Sequence, residues 1–310
     1  MRELVGYTGF VGSNLAMSSR FDSCYNSMNI TEAFGVKPDI LYYAGVPAQK
    51  FLANSNPDAD IEIIETAMQN IQKIEPKSVV LISTVDVYPA SEGVDENTVI
   101  NQDILEPYGK HRYILEQFVR YYYKDHTIIR LPGLFGVNIK KNFIYDMIHF
   151  LPGMITASKI AELDFSLLSN YYKPMDNGFY KLIDISAKDR LKLTTYFKQC
   201  DFSALSFTDS RSSFQFYNLN NLFDQIEVAR SFGIRLLNLA TQPCEAAELY
   251  KYIFEDEFIN FLEAPPAHYD MRSIHANRFY GEHGYIRDKF SILKEIKDFV
   301  ITSKKQLETR

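Results

Sequence analysis

A doubly wound parallel α/β sheet is the fold the sequence predicts, on three observations. Over the first 135 residues, short apolar runs alternate with helix-period segments, the rhythm of strands joined by helical crossovers. The glycine-rich turn Gly6-Tyr7-Thr8-Gly9-Phe10-Val11-Gly12 directly follows the first run and opens the first helix. The run Ser78 to Ser83 is almost continuously apolar, as a strand buried on both faces must be.

The elements follow in order. Leu4 and Val5 end a first strand, and Gly9 to Ser19 reads as a helix. Ser23 to Asn26 and Asp39 to Ala44 are the next two strands. From Asp58 to Ile74, apolar residues at Ile61, Ile64, Met68 and Ile71 draw one helical face. After the strand at Ser78 comes a long helix from Tyr108 to Lys124, then a strand from Thr127 to Leu131. Beyond Pro132 the rhythm fades. Strands near 214–217 and 235–239 complete the sheet, with a helix from Asn220 to Phe232 between them. Helices near Glu245 to Phe254 and Ser291 to Lys304 close the chain.

Composition excludes several functions. The 310 residues hold 46% hydrophobic and 23% charged side chains, an ordinary globular balance with room for a large core. A net charge of −6 with no basic stripe argues against nucleic-acid binding. No apolar run reaches the roughly 18–20 residues of a membrane helix, and the Arg2-Glu3 opening leaves no room for a signal peptide. Cys24, Cys200 and Cys244 are odd in number and far apart, which suits a reducing cytoplasmic setting. His268, His275 and His283 lie seven and eight residues apart, a spacing no standard zinc site uses, so no metal is expected.

The glycine turn carries chemistry. Between a strand and a helix, glycines at 6, 9 and 12 let the backbone turn sharply and approach a pyrophosphate, which the helix N-terminus then attracts. The second strand should end in an acidic residue for NAD or near a basic one for NADP, but Tyr25-Asn26-Ser27 is neither. Asn26 can bond a ribose hydroxyl, while Glu32 falls beyond the strand. The cofactor is NAD or NADP, with the choice open.

Further segments recur in a fixed order. They are Gly9-Phe10-Val11-Gly12-Ser13-Asn14-Leu15, Ala44-Gly45, Ser83-Thr84-Val85-Asp86-Val87-Tyr88, Pro107-Tyr108-Gly109-Lys110-His111-Arg112 and Arg130-Leu131-Pro132-Gly133-Leu134-Phe135-Gly136. Asn220-Asn221-Leu222 and Leu237-Asn238-Leu239 follow. Together they resemble the extended short-chain dehydrogenase/reductase family, the nucleotide-sugar epimerases and dehydratases. The resemblance implies a Rossmann domain at 1–137 plus 214–242 and a smaller, mostly helical substrate-binding cap at 138–213 plus 243–310. A helical insertion near 155–205 is expected within the cap.

It also implies a site. Gly6, Gly9, Phe10, Val11, Gly12, Ala44, Gly45, Pro132, Tyr108 and Arg112 would hold the cofactor together with Asn26. The family's catalytic trio maps onto Thr84, Tyr108 and, in place of its lysine, Arg112. An arginine stays cationic and can still favour tyrosinate. Lys110 projects elsewhere on the helix. Asp86 is either a catalytic base, as in the family's dehydratases, or a cap of the following turn. Substrate contacts fall to Thr84, Lys141, Asn142 and Arg272, although Lys141 also reads as plain loop charge. The implied activity is hydride transfer on a nucleotide-activated sugar, by epimerisation or reduction, with Tyr108 as proton carrier. Dehydration through Asp86 and dinucleotide binding without catalysis are the alternatives. A homodimer is implied, built on helices 58–74 and 108–124 with Ile61, Ile64, Leu115 and Val119 in the contact.

Overall fold

A computed structural model describes residues 1–175 and 178–308; residues 176–177 and 309–310 of the expected cap lie outside the described residues. The chain begins β1 (Arg2–Val5), α1 (Phe10–Ser18), β2 (Ser23–Tyr25), β3 (Ile40–Tyr43), α2 (Lys50–Ser55) and α3 (Pro57–Ile74). It continues through β4 (Ser78–Thr84), α4 (Pro107–Tyr122), β5 (His126–Leu131) and β6 (Gly133–Phe135). Next come α5 (Phe143–Ile148), β7 (Met154–Thr156), α6 (Ala157–Glu162), α7 (Phe165–Leu168), β8 (Tyr172–Pro174), β9 (Phe179–Leu182) and α8 (Ala187–Gln199). Last are β10 (Ser213–Phe214), β11 (Phe216–Asn218), α9 (Leu222–Ser231), β12 (Leu236–Asn238), β13 (Cys244–Glu245), α10 (Ala246–Phe254) and α11 (Lys289–Glu308).

Two compact units emerge. One holds Met1–Ile139, Ser213–Cys244 and His268–Ile296; the other holds Lys140–Ser212, Glu245–Ala267 and Lys297–Arg310. In the first, six parallel strands run in the order β12-β5-β4-β3-β1-β2. Strand order reverses between β1 and β3, and a crevice for ligands opens beyond the strand ends at such a switch point. Alternate residues feed two cores. Leu4, Tyr42, Val80 and Ile129 pack on one face under α1 and α9, while Val5, Tyr43, Leu81 and Ile128 pack on the other under α3 and α4.

Local chemistry sets the helices on that second face. Asn56 caps α3 by accepting the Ala59 N–H, Pro57 sits at the first helical position, and Glu75 ends the helix in the left-handed conformation. Pro107 opens α4 in the same way. Ile64, Leu115 and Val119 are buried against the chain's own sheet and Ile61 partly so. Ile64, Leu115 and Val119 therefore cannot be the partner contact expected of them, because the sheet already consumes that face. The outer surface of the pair instead shows Ile63, 39% exposed, and Tyr121, 83% exposed.

Other departures have physical causes. After Leu131 the chain leaves the main sheet at Pro132, and β6 pairs with β11 as a separate parallel ribbon. Only β12 of the two late strands completes the six. The segment 268–296, expected in the cap, packs in the first unit: the Gln215 side chain bonds both the N–H and the carbonyl of Met271, and Glu96 holds Ser273 and Ile274.

The second unit contains an antiparallel sheet, β7-β9-β8, that the helical expectation lacked. Its strands are three or four residues long, and β8 is an edge strand that accommodates Pro174. Ile155, Ile160, Tyr172, Leu193 and Phe197 form that unit's core. Among the described residues no helix is long and apolar enough to cross a membrane.

One ion pair ties the sheet to α4. Arg130 on β5 makes a bidentate contact to Glu116 on α4 at 2.9 and 2.6 Å, and Ser83 on β4 donates to the same carboxylate at 2.6 Å. Both charged side chains are fully buried. The Arg130→Met variant should lose about 3–5 kcal/mol of stability in urea unfolding, because it strands the Glu116 charge. Adding Glu116→Leu should recover most of that loss.

Candidate active site

The glycine turn is packed tightly on one side and open on the other. Gly6 has φ +91°, and a Cβ there would stand 2.4 Å from the Ala44 carbonyl oxygen at the end of β3. A Cβ on Gly12 would stand 2.1 Å from the Gly6 oxygen. These two glycines let β1, β3 and α1 close on one another. Gly9 differs, since its Cβ would meet only the Gly6 oxygen at 3.3 Å and its outer side faces solvent. Among the described residues no side chain caps α1. The N–H groups of Phe10, Val11 and Gly12 thus begin a helix whose positive end stays uncovered by side chains. That is a cradle for a pyrophosphate.

Across the crevice, β4 ends at Thr84. Its hydroxyl accepts the Asp86 N–H and donates to the Asp86 carboxylate, each at 3.2 Å, so Thr84 and not Asp86 caps the turn. The turn lies against α4 because Gly109 has no side chain: a Cβ there would come within 2.0 Å of the Asp86 carbonyl oxygen. Tyr108 is thereby brought beside Thr84, whose hydroxyl acts on its phenol. Its own N–H donates to Asn54 on α2 at 2.9 Å. Burial pushes the Tyr108 phenol up from its ordinary pKa; the Arg112 cation pulls it down, Asp86 pushes it up, and Lys50 and the Thr84 hydroxyl pull it down.

Arg112 is committed beneath the tyrosine. Its guanidinium bonds Asp60 at 2.5 Å, the Pro47 carbonyl at 2.8 Å and the Tyr108 carbonyl at 3.3 Å. The carbon of that group lies 4.0 Å from the centre of the Tyr108 ring. His111 bonds the same Asp60 oxygen at 2.8 Å. The charge is present under Tyr108, and three of its five N–H donors are engaged by the protein.

A residue the sequence reading missed completes the site. Lys50 on α2 reaches Asp86 at 2.5 Å, and both line a cavity of about 330 Å³ with Tyr88, Glu106, Gly109 and Tyr269. Burial opposes the Lys50 charge, yet the Asp86 carboxylate holds its pKa above the ordinary lysine value. No spacing rule links positions 50 and 86. The only sequence signal is a basic residue five places beyond Gly45, in a stretch too short to show periodicity.

The remaining residues divide. Asn26 ends β2 with its side-chain oxygen bonded to the Met28 N–H at 2.8 Å and its amide nitrogen 3.4 Å from the Tyr7 hydroxyl. Glu32 is exposed on a 3-10 turn past the strand. Pro132 stands at the end of β5 and Gly45 just after β3, both at the carboxyl edge of the sheet. Arg272 is tied to the His283 carbonyl at 2.6 Å and to Asp270 at 2.7 Å. Lys141 and Asn142 belong to the second unit, where Asn142 caps α5 through the N–H groups of Ile144 and Tyr145. Among the described residues no group of three His, Cys, Asp or Glu is placed to hold a metal.

Comparison with known proteins bears on this geometry. The model of the NAD dependent epimerase/dehydratase family matches residues 20–176, just over half of the chain. The fold is similar to dTDP-4-dehydrorhamnose reductase from Bacillus anthracis in complex with NADP (TM-score 0.62, 16% identity, 97% of each chain covered). It is similar to RMD from Pseudomonas aeruginosa complexed with NADPH (TM-score 0.62, 13% identity, 98% of this chain and 99% of that one). UDP-glucose 4-epimerase from Thermotoga maritima, solved with UDP-glucose, also matches (TM-score 0.55, 12% identity, 99% and 100%). At such identities the likeness is one of fold. No curated protein sequence matches the chain. The family model starts beyond the glycine turn, whose cradle stands on its own geometry, and it spans Ala44, Thr84, Tyr108 and Arg130. The chain belongs to the NAD dependent epimerase/dehydratase family.

Proposed function

We propose that this protein is an NAD(P)-dependent enzyme that modifies a nucleotide-activated sugar by epimerisation or reduction. The observation that carries the reading is the Thr84–Tyr108 pair at the carboxyl end of β4, beside a polar cavity and across the crevice from the glycine turn. The cradle at Gly6, Gly9 and Gly12 fits a dinucleotide pyrophosphate, and two of the structural relatives named above, the Bacillus anthracis and Pseudomonas aeruginosa proteins, were solved with NADP or NADPH. Asn26 at the end of β2 fits either cofactor. The first unit is the proposed cofactor-binding domain and the second the proposed substrate-binding cap, with Lys141 and Asn142 among its sugar-nucleotide contacts.

When bound, the nicotinamide accepts or returns a hydride at one sugar carbon. Tyr108 as phenolate takes the proton of the hydroxyl on that carbon, and as phenol it returns the proton to the carbonyl oxygen. Thr84 orients the same oxygen. Arg112 keeps a fixed positive charge under the ring, with Asp60 and the Pro47 carbonyl holding it there.

Dehydration is the second reading, favoured by the Asp86 carboxylate in the cavity wall. There Asp86 would take a carbon-bound proton and pass it to the neighbouring hydroxyl as its C–O bond breaks, so that the product is lighter by one water. The proposed setting is cytoplasmic, consistent with Cys24, Cys200 and Cys244 forming no disulfide among the described residues. The proposed assembly is a homodimer across the outer faces of α3 and α4, where Ile63 and Tyr121 are exposed.

Tyr108→Phe should lower turnover roughly 10²–10⁴-fold while leaving cofactor affinity unchanged, measured by steady-state absorbance and by fluorescence titration. Full activity in that variant on the true substrate would sink the reading. Gly9→Val should remove measurable binding of both NADH and NADPH, since a branched side chain fills the open side of the turn. Light scattering at tens of micromolar (an order-of-magnitude choice) should give twice the chain mass; a monomer argues against the α3–α4 contact.

A further inference from the structure

Thr84 has one hydroxyl proton and two acceptors that compete for it. It donates to Asp86 at 3.2 Å, and it also acts on the Tyr108 phenol, pulling its pKa down. While the phenol is neutral there is no conflict, because Tyr108 can donate to Thr84 as Thr84 donates to Asp86. Once Tyr108 ionises, its oxygen needs a donor, and Thr84 can supply one only by turning away from Asp86. A carboxylate stripped of a hydrogen bond in a part-buried site resists that turn.

Lys50 resolves the competition. Its ammonium is 2.5 Å from the Asp86 oxygen Oδ1, while Thr84 addresses Oδ2. With three donors and no acceptor, the ammonium keeps Asp86 satisfied when Thr84 swings to the phenolate. Arg112 cannot do this: its contacts are Asp60, the Pro47 carbonyl and the Tyr108 carbonyl, none of them Asp86. We propose that Lys50 is a positioning residue of the reaction, one that frees the Thr84 proton for the Tyr108 phenolate by holding Asp86. The cation that enables the proton carrier thus arrives partly on α2, outside the helix that carries Tyr108. This rests on the reading of Tyr108 as proton carrier.

The charged and titratable groups around Tyr108 are Arg112 on its own helix, Asp86 on the turn after β4, Lys50 on α2, and Asp60 on α3 bound to Arg112 and His111. Tyr269 faces Lys50 from the later segment. The signs follow from the charges that face the phenol: the Lys50 ammonium favours the phenolate and the Asp86 carboxylate opposes it. Removing the Lys50 charge raises the Tyr108 midpoint, and removing Asp86 lowers it.

The test is an NMR titration of the full chain with tyrosine labelled by ¹³C at Cζ, the Tyr108 signal being assigned by its loss in Tyr108→Phe. Lys50→Met should move the Tyr108 midpoint up by about one pH unit or more. Lys50→Arg should keep it near the starting value, and Asp86→Ala should move it down. Lys50 is half exposed, so these variants should fold, which circular dichroism checks. A Lys50→Met midpoint equal to that of the unaltered chain overturns the proposal. So does a Lys50→Arg shift as large as that of Lys50→Met, or an upward shift in Asp86→Ala. The titration needs no substrate, so it decides the coupling even if Tyr108→Phe were to keep full turnover and the functional reading were to fail.

Discussion

The buried pair of Glu116 and Arg130 governs the geometry of everything above it. Two charges without water hold each other only at short range and in one orientation, so α4 can sit at just one depth and rotation on the sheet. Ser83 joins the same carboxylate, and the next residue along β4, Thr84, acts on the Tyr108 phenol. Consecutive residues of one strand therefore address the two ends of a helix stretch that rises about 12 Å. The upper contact inherits its precision from the lower one. Arg130 also lies over the Tyr88 ring at 4.7 Å, and the Tyr88 hydroxyl pairs with Asn238. Segments that stand far apart in the sequence are neighbours in one network.

Much of this was legible beforehand, and the reasons are specific. Strands β3 and β4 are buried on both faces, which forces near-continuous apolar runs, and α3 announces itself by its spacing and by the Asn56-Pro57 start. The glycine turn was visible because close backbone approach admits no other residue at positions 6 and 12. Short elements left no such trace. Six-residue α2 spans less than two turns, and the strands of the β7-β9-β8 sheet are too brief for alternation to register. Lys50 was lost with α2. The fate of Arg112 was hidden for another reason: its position four residues after Tyr108 was plain, but its partner Asp60 comes from a different helix.

The inward-facing residues of α3 and α4 show a limit of periodicity. Ile64, Leu115 and Val119 form a well-defined stripe, and a stripe says only that one face is buried. It does not say against what. The sheet took that face, leaving the opposite side with scattered apolar residues among polar ones.

Both borders of the main sheet are narrow. Strands β2 and β12 have three residues each, against seven in β4, so few unpaired backbone groups are presented sideways. An outside chain seeking to extend the sheet would find a template too short to hold it. Parallel sheets assemble slowly, from contacts distant along the chain, and are open to misassociation while they form. Blunt borders protect such a molecule during synthesis and at high concentration.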